Sequence, residues 1–139
     1  MIVVDTSVIV YCVTRGEADR LAVDAAAVFR RDPEWSAPPL WRSELRNALA
    51  LQVRYDGMVM EDAVGALKAA EALVGPREQA VDAEAVLRLA VRSGCTAYDC
   101  EFVVLAQLLN VPLVTADKQI LKAFPSVAVS LAAFARGAR

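Results

Sequence analysis

Two short apolar runs in this chain each give way to an aspartate, and they constrain the fold more than any other feature. "MIVVDTSVIV" places Asp5 directly after Ile2, Val3 and Val4, and "VPLVTADKQIL" at 111–121 places Asp117 just beyond Leu113 and Val114. A short, continuously apolar run reads as a strand buried on both faces, the kind found in parallel sheets covered by helices on both sides. The rest of the pattern agrees. Helical spacing runs over 17–31 up to Pro33, then over Leu40–Tyr55 up to Gly57, and over Met60–Leu73 up to Gly75-Pro76. "WSAP" has room for a short strand, and 77–81 for a weak edge strand. Asp82 is an N-cap for a helix through Arg92 closed by Gly94, and Tyr98–Leu109 is apolar nearly all round, as a buried helix should be. A strand at Val111–Val114, a short helix at Asp117–Phe124, a strand at Val127–Val129 and a C-terminal helix complete the reading. Strands alternating with helices predict an α/β fold with a parallel central sheet. In such sheets ligand sites form beyond the carboxyl ends of the strands near a topological switch point, where Asp5 and Asp117 both lie.

Composition matters chiefly through what is missing. The sequence holds no histidine, which removes Ser-His-Asp triads, Cys-His dyads, H-E-x-x-H zinc sites and imidazole acid–base chemistry together. Any catalysis falls to carboxylates and hydroxyls. Three cysteines (Cys12, Cys95 and Cys100) with no C-x-x-C fit buried thiols in a reducing, cytoplasmic compartment. No basic n-region opens the chain, and Asp5 interrupts its first apolar run, so a signal peptide is not expected. No segment reaches the roughly 18 continuous apolar residues of a membrane span. A net charge of −2 argues against a broadly basic nucleic-acid binder while leaving room for a site in which metal ions bring the positive charge. The 139 residues suit one domain, but 57% hydrophobic residues exceed what a domain of that size readily hides.

Two further acids stand apart from the rest. Helical rotation puts Glu44 of "LWRSELRNALALQ" on the flank of the side carrying Trp41, Leu45, Ala48 and Gln52. Asp99 of "YDCEFVVLAQLL" aligns with Phe102, Val103 and Ala106 in the first turn, where it could instead serve the helix dipole. Glu101 falls roughly opposite Asp99, and Asp24, Glu71, Glu78 and Glu17 read as solvated surface. Four inward acids would repel one another in an apolar crevice, and a hard divalent cation is the natural compensation. Carboxylate oxygens with water suit Mg2+ or Mn2+, and such a site favours phosphate chemistry.

"VVDTSVIV", "SELRNAL", "TAYDCEFVVLA" and "PLVTADKQIL", in that order along the chain, resemble a PIN-domain ribonuclease, in particular the VapC-like toxins of type II toxin–antitoxin modules. The resemblance implies a three-layer α/β/α sandwich over 1–139 as one domain. It implies that Asp5, Glu44, Asp99 and Asp117 form a catalytic Mg2+ or Mn2+ site, and that Ser7 and Thr115 assist as hydroxyls beside the metal or its water. Thr6 is read as structural. Some relatives carry a further acid or Asn two positions after the last aspartate; here Gln119 stands there, and no fifth ligand is assigned. The implied reaction is hydrolysis of an RNA phosphodiester by activated water, leaving a 5′-phosphate and a 3′-hydroxyl. Arg15, Arg20, Arg42 and Arg46 are the candidate RNA contacts at the rim. The implied partners are RNA, a small antitoxin and a second copy of the chain. The antitoxin's segment is expected against Leu21–Phe29 and Leu40–Leu51, with Met58 and Met60. Other readings stay open. A catalytically silent PIN-like interaction protein would share the fold. A phosphatase of haloacid dehalogenase type would need an acid where Ser7 stands, and a receiver-like domain would need a mid-chain strand ending in aspartate.

Overall fold

The computed structural model of the protein describes residues 1–14 and 19–139; the readings of Arg15 and Glu17 lie outside the described residues. Four short strands, β1 (Ile2–Val4), β2 (Trp35–Ser36), β3 (Leu113–Thr115) and β4 (Ala128–Ser130), form one sheet in the order β2-β1-β3-β4. Every pairing is parallel, with Ile2 opposite Trp35, Val3 opposite Leu113, and Val114 opposite Val129. The side chains of β1 and β3 are buried throughout, which is why their sequence does not alternate.

The chain leaves β1 into α1 (Thr6–Thr14), passes through α2 (Arg20–Arg31), and adds β2 on one side of β1. It then runs through α3 (Leu40–Tyr55), α4 (Met60–Val74), α5 (Ala83–Ser93) and α6 (Ala97–Leu109) before adding β3 on the other side. The switch point therefore lies between β1 and β3, and Asp5 and Asp117 follow those two strands. The short α7 (Lys118–Ala123) and α8 (Leu131–Ala135) flank β4. With helices covering the sheet, the fold is the expected three-layer α/β/α sandwich. Among the described residues no helix is long and apolar enough to cross a membrane.

The helix over 6–14 had no assignment from the sequence. Its run of valine and isoleucine is rich in β-branched residues, which favour strands, and tertiary packing overrides that preference. Val8 and Ile9 are fully buried, and Asp5 starts the helix by accepting from the Val8 amide at 3.2 Å. The expected edge strand at 77–81 is not formed. Gly75–Arg77 is a 3-10 turn, and only Glu78 makes a parallel bridge, to Ala37. The Gly75-Pro76 pair draws the chain into that turn, and the Arg77 carbonyl accepts from the Ser36 hydroxyl at 2.7 Å. The third strand starts at Leu113 rather than Val111. Asn110 closes α6 at φ 53°, and the Val111 amide still bonds back to Ala106 at 3.1 Å. The last strand likewise starts one residue late, at Ala128. No residue of α6 from Asp99 to Ala106 is exposed; the exposed Tyr98 and Leu108 lie at its two ends. Asp24, read as solvated, is 8% exposed inside α2, where Arg20 lies 3.3 Å from it.

One hydrophobic cluster runs from Ile2 through Trp35, Leu45, Leu89 and Leu105 to Phe134. Trp35 is its largest fully buried side chain. Its indole N–H donates to the Asp32 carbonyl at 2.8 Å, and Phe29 meets its ring edge-on at 6.0 Å.

Candidate active site

The loop after β1, the first turn of α6, the second turn of α3 and the loop after β3 converge on one cavity of about 340 Å³. Asp5, Thr6, Ser7, Tyr11, Glu44, Asp99, Phe102, Ala116 and Asp117 line it. All four expected carboxylates are thus brought to one wall-to-wall space. No lysine or arginine lines it among the described residues.

Each acid is held differently. Asp5 is 8% exposed. Its Oδ1 accepts from the Ser7 hydroxyl at 2.6 Å as well as from the Val8 amide, and its Oδ2 accepts from the Thr115 hydroxyl. Burial pushes its pKa up; the Ser7, Thr115 and Val8 hydrogen bonds oppose this, and the charge of Asp117 adds to it. Glu44 is half-buried, and its Oε1 accepts from the Thr6 hydroxyl at 2.7 Å. Burial raises its pKa, Thr6 opposes, and Asp5, Asp99 and Glu101 raise it further by repulsion. Asp99 is half-buried with its pKa raised by burial, opposed by Thr96 and reinforced by Asp117. Asp117 is the exposed member of the set. Its Oδ1 caps α7 by accepting from the amides of Gln119 at 2.8 Å and Ile120 at 3.1 Å.

Ser7 and Thr115 both donate to Asp5, and Thr115 also accepts from the Asp117 amide at 3.0 Å, so Thr115 ties the two strand-end aspartates together. Thr6, read as structural, lines the cavity and holds Glu44. Glu101, read as facing away, acts on Glu44 by its charge and has its own pKa raised by burial. Tyr11 was not singled out at all, although it lies one turn after Ser7 on the same face of α1. That i, i+4 spacing from Ser7 was the signal available for it.

The described candidate rim arginines do not line the cavity. Arg42 donates to Glu71, donates from Nε to Glu78 at 2.6 Å, and lies 4.7 Å over the Trp41 ring. Arg20 pairs with Asp24, and Arg46 donates to Ser43 at 3.2 Å. Arg42 and Arg46 line a separate groove between α3 and α4 with Trp41, Leu45, Leu67 and Lys68.

The donor set fits a hard divalent cation: four oxygen-bearing acids, repelling one another, with Asp5, Glu44 and Asp99 raised in pKa. Among the described residues no three such side chains converge into a ready-made metal cage. Mg2+ does not need one, since it keeps several waters and binds through one or two carboxylates.

The PIN domain family model matches residues 2–125 of this chain. Among solved structures, the crystal structure of PAE2754 from Pyrobaculum aerophilum superposes with a TM-score of 0.71. That protein is 22% identical to this chain, the match covering 96% of this chain and 92% of the other. A search of curated proteins finds no match.

Proposed function

Since the chain belongs to the PIN-domain family, whose members are generally nucleases, we propose that it is a metal-dependent endoribonuclease, the VapC-like toxin of a type II toxin–antitoxin module. One observation carries this reading. Four carboxylates from four separate segments line one cavity into which no described cation reaches, an arrangement that is costly unless a metal ion is to be held there. On this reading the whole of 1–139 is one PIN-like domain, a view supported by the single core that extends to Phe134.

Mg2+ or Mn2+ held by Asp5, Glu44, Asp99 and Asp117 would neutralise the phosphate and lower the pKa of an attacking water. The chain's own residues set the geometry for this. Ser7, the Val8 amide and Thr115 fix both oxygens of Asp5, so that carboxylate is oriented before anything binds. Thr6 orients Glu44 in the same way. Asp99 and Glu44, half-buried with pKa values raised by burial, would each present a carboxylate to that ion. Asp117 has one oxygen in the α7 cap, which anchors its position at the cavity mouth.

An antitoxin segment would lie against Leu21–Phe29 and Leu40–Leu51, with Met58 and Met60. The groove of about 440 Å³ between α3 and α4 meets a second cavity, lined by Cys12, Val13, Phe29 and Leu73, at Ala72. Exposed apolar side chains such as Leu87 and Val91 on α5 leave surface for a homodimer. We place the protein in the cytoplasm with that antitoxin. The deciding experiment is cleavage of single-stranded RNA by the purified chain with Mg2+, beside Asp99→Asn. The variant should fold and cut nothing; wild-type cleavage by it would remove Asp99 from the site.

A further inference from the structure

RNA entering this cavity meets a contradiction. Nucleic-acid grooves that track a backbone usually supply basic side chains, and the described residues lining this one supply four carboxylates and none. A metal ion can hold the phosphate that reacts, but it does nothing for the nucleoside next to it. Among the described residues the lining offers two aromatic rings for that purpose. Phe102 is 2% exposed, so it has no face to give. Tyr11 is half-buried on the wall. It follows Ser7, the residue that donates to Asp5, by one turn of α1, an advance of about 6 Å along the helix axis. That is the scale of a single nucleotide. Of the described arginines that could have compensated, none lines the cavity: Arg42 pairs with Glu71 and Glu78, Arg20 with Asp24, and Arg46 lines the α3–α4 groove.

We propose that Tyr11 is a substrate-positioning residue, on whose ring a nucleobase beside the scissile phosphate stacks. The proposal rests on the ribonuclease reading. Stacking of this kind needs an unpaired base that can leave its neighbours, which a duplex does not provide. It is also tolerant of base identity, because every base has a π-face.

The test uses the full chain carrying Asp99→Asn, which binds RNA without cutting it, in Mg2+ with a single-stranded oligoadenylate containing one 2-aminopurine. Its fluorescence should quench on binding. Tyr11→Leu should weaken binding by about 5- to 150-fold, the range that aromatic stacking commands. Tyr11→Phe and Tyr11→Trp should bind within about threefold of the parent, since both keep the ring. Blunt duplex RNA should bind more weakly and be indifferent to Tyr11→Leu. With Asp99 intact, Tyr11→Leu should raise KM more than it lowers kcat. Equal single-strand affinity for Tyr11→Leu and its parent overturns the proposal, as does a Trp variant no better than the Leu variant. Those results leave the ribonuclease reading intact if the wild type still cuts; a wild type that neither binds nor cuts RNA overturns both.

Discussion

Arg42 and Glu44 stand two residues apart on α3 and belong to opposite kinds of electrostatic region. Arg42 is fully answered: Glu71 and Glu78 accept its N–H groups, Trp41 lies under its guanidinium, and these hydrogen bonds raise its pKa above the ordinary arginine value. Glu44 is answered only by the Thr6 hydroxyl and faces Asp5, Asp99 and Glu101, which push its pKa up with burial. One region satisfies its charges within the chain, as a structural ion-pair network does. The other gathers its carboxylates in a cavity that no described cation lines, which is the pattern expected where an ion or substrate completes the arrangement. The lesson is that a charge's partners, more than its burial, separate scaffold from site.

The largest effect expected from this contrast is on cleavage. Asp5→Asn and Asp99→Asn should each lower the RNA cleavage rate by about 10²-fold or more while leaving the fold intact. Asp5→Asn keeps an oxygen for Ser7 and the Val8 amide, so the site's scaffold survives. Arg42→Ala should do the reverse. It should leave cleavage unchanged and lower the melting temperature slightly, because the Arg42 side chain is 36% exposed and that of Glu71 54%, and the Arg42 guanidinium lies over Trp41. Loss of cleavage in a folded Arg42→Ala protein would erase the distinction between the two regions.

A smaller effect concerns stability without metal. Asp5, Glu44 and Asp99 have pKa values raised in the folded protein, so the folded state holds their protons more tightly than the unfolded chain. Their contribution is fully present below the ordinary carboxylate pKa near about 4 and is lost as pH rises through the raised values. At neutral pH in EDTA the ionised cluster therefore opposes folding. Asp5→Asn should melt at the same temperature as the wild type or up to a few degrees higher, and the gain should vanish below about pH 4. Melting curves across pH check this; a gain that grows on acidification would reverse the sign of the argument. The smallest effect is at Asp117. Asn caps a helix about as well as Asp, so Asp117→Asn should change stability by only a few tenths of a kcal/mol, and Asp117→Ala should cost about 1 kcal/mol, by denaturant titration.

The strand ends and their aspartates were legible in the sequence because a strand buried on both faces leaves a continuous apolar run, and the residue that follows it sits at the sheet's end. The caps at Asp82 and Gly94 were legible for a similarly local reason: side-chain acceptance at 2.9 Å by Asp82 from Ala85 and a φ of 76° at Gly94 belong to those residue types. What was hidden depends on contacts far apart in sequence. Arg42 reads as a free rim cation until Glu71 and Glu78 are seen beside it, and Asp24 reads as surface until α2 is packed. The helical wheel of α6 set Glu101 against Asp99, yet the field at Glu44 on α3 includes both. Helix α1 was hidden because valine and isoleucine prefer strands when judged one by one.

The four carboxylates of the cavity are proposed to hold a divalent ion that RNA cleavage requires. Cleavage of single-stranded RNA by metal-stripped protein, followed as Mg2+ or Mn2+ is added and then removed with EDTA, tests it most directly. Activity should be absent without metal, appear on its addition and stop with EDTA. Undiminished cleavage by metal-free protein, cleared of contaminating nuclease, would contradict the account.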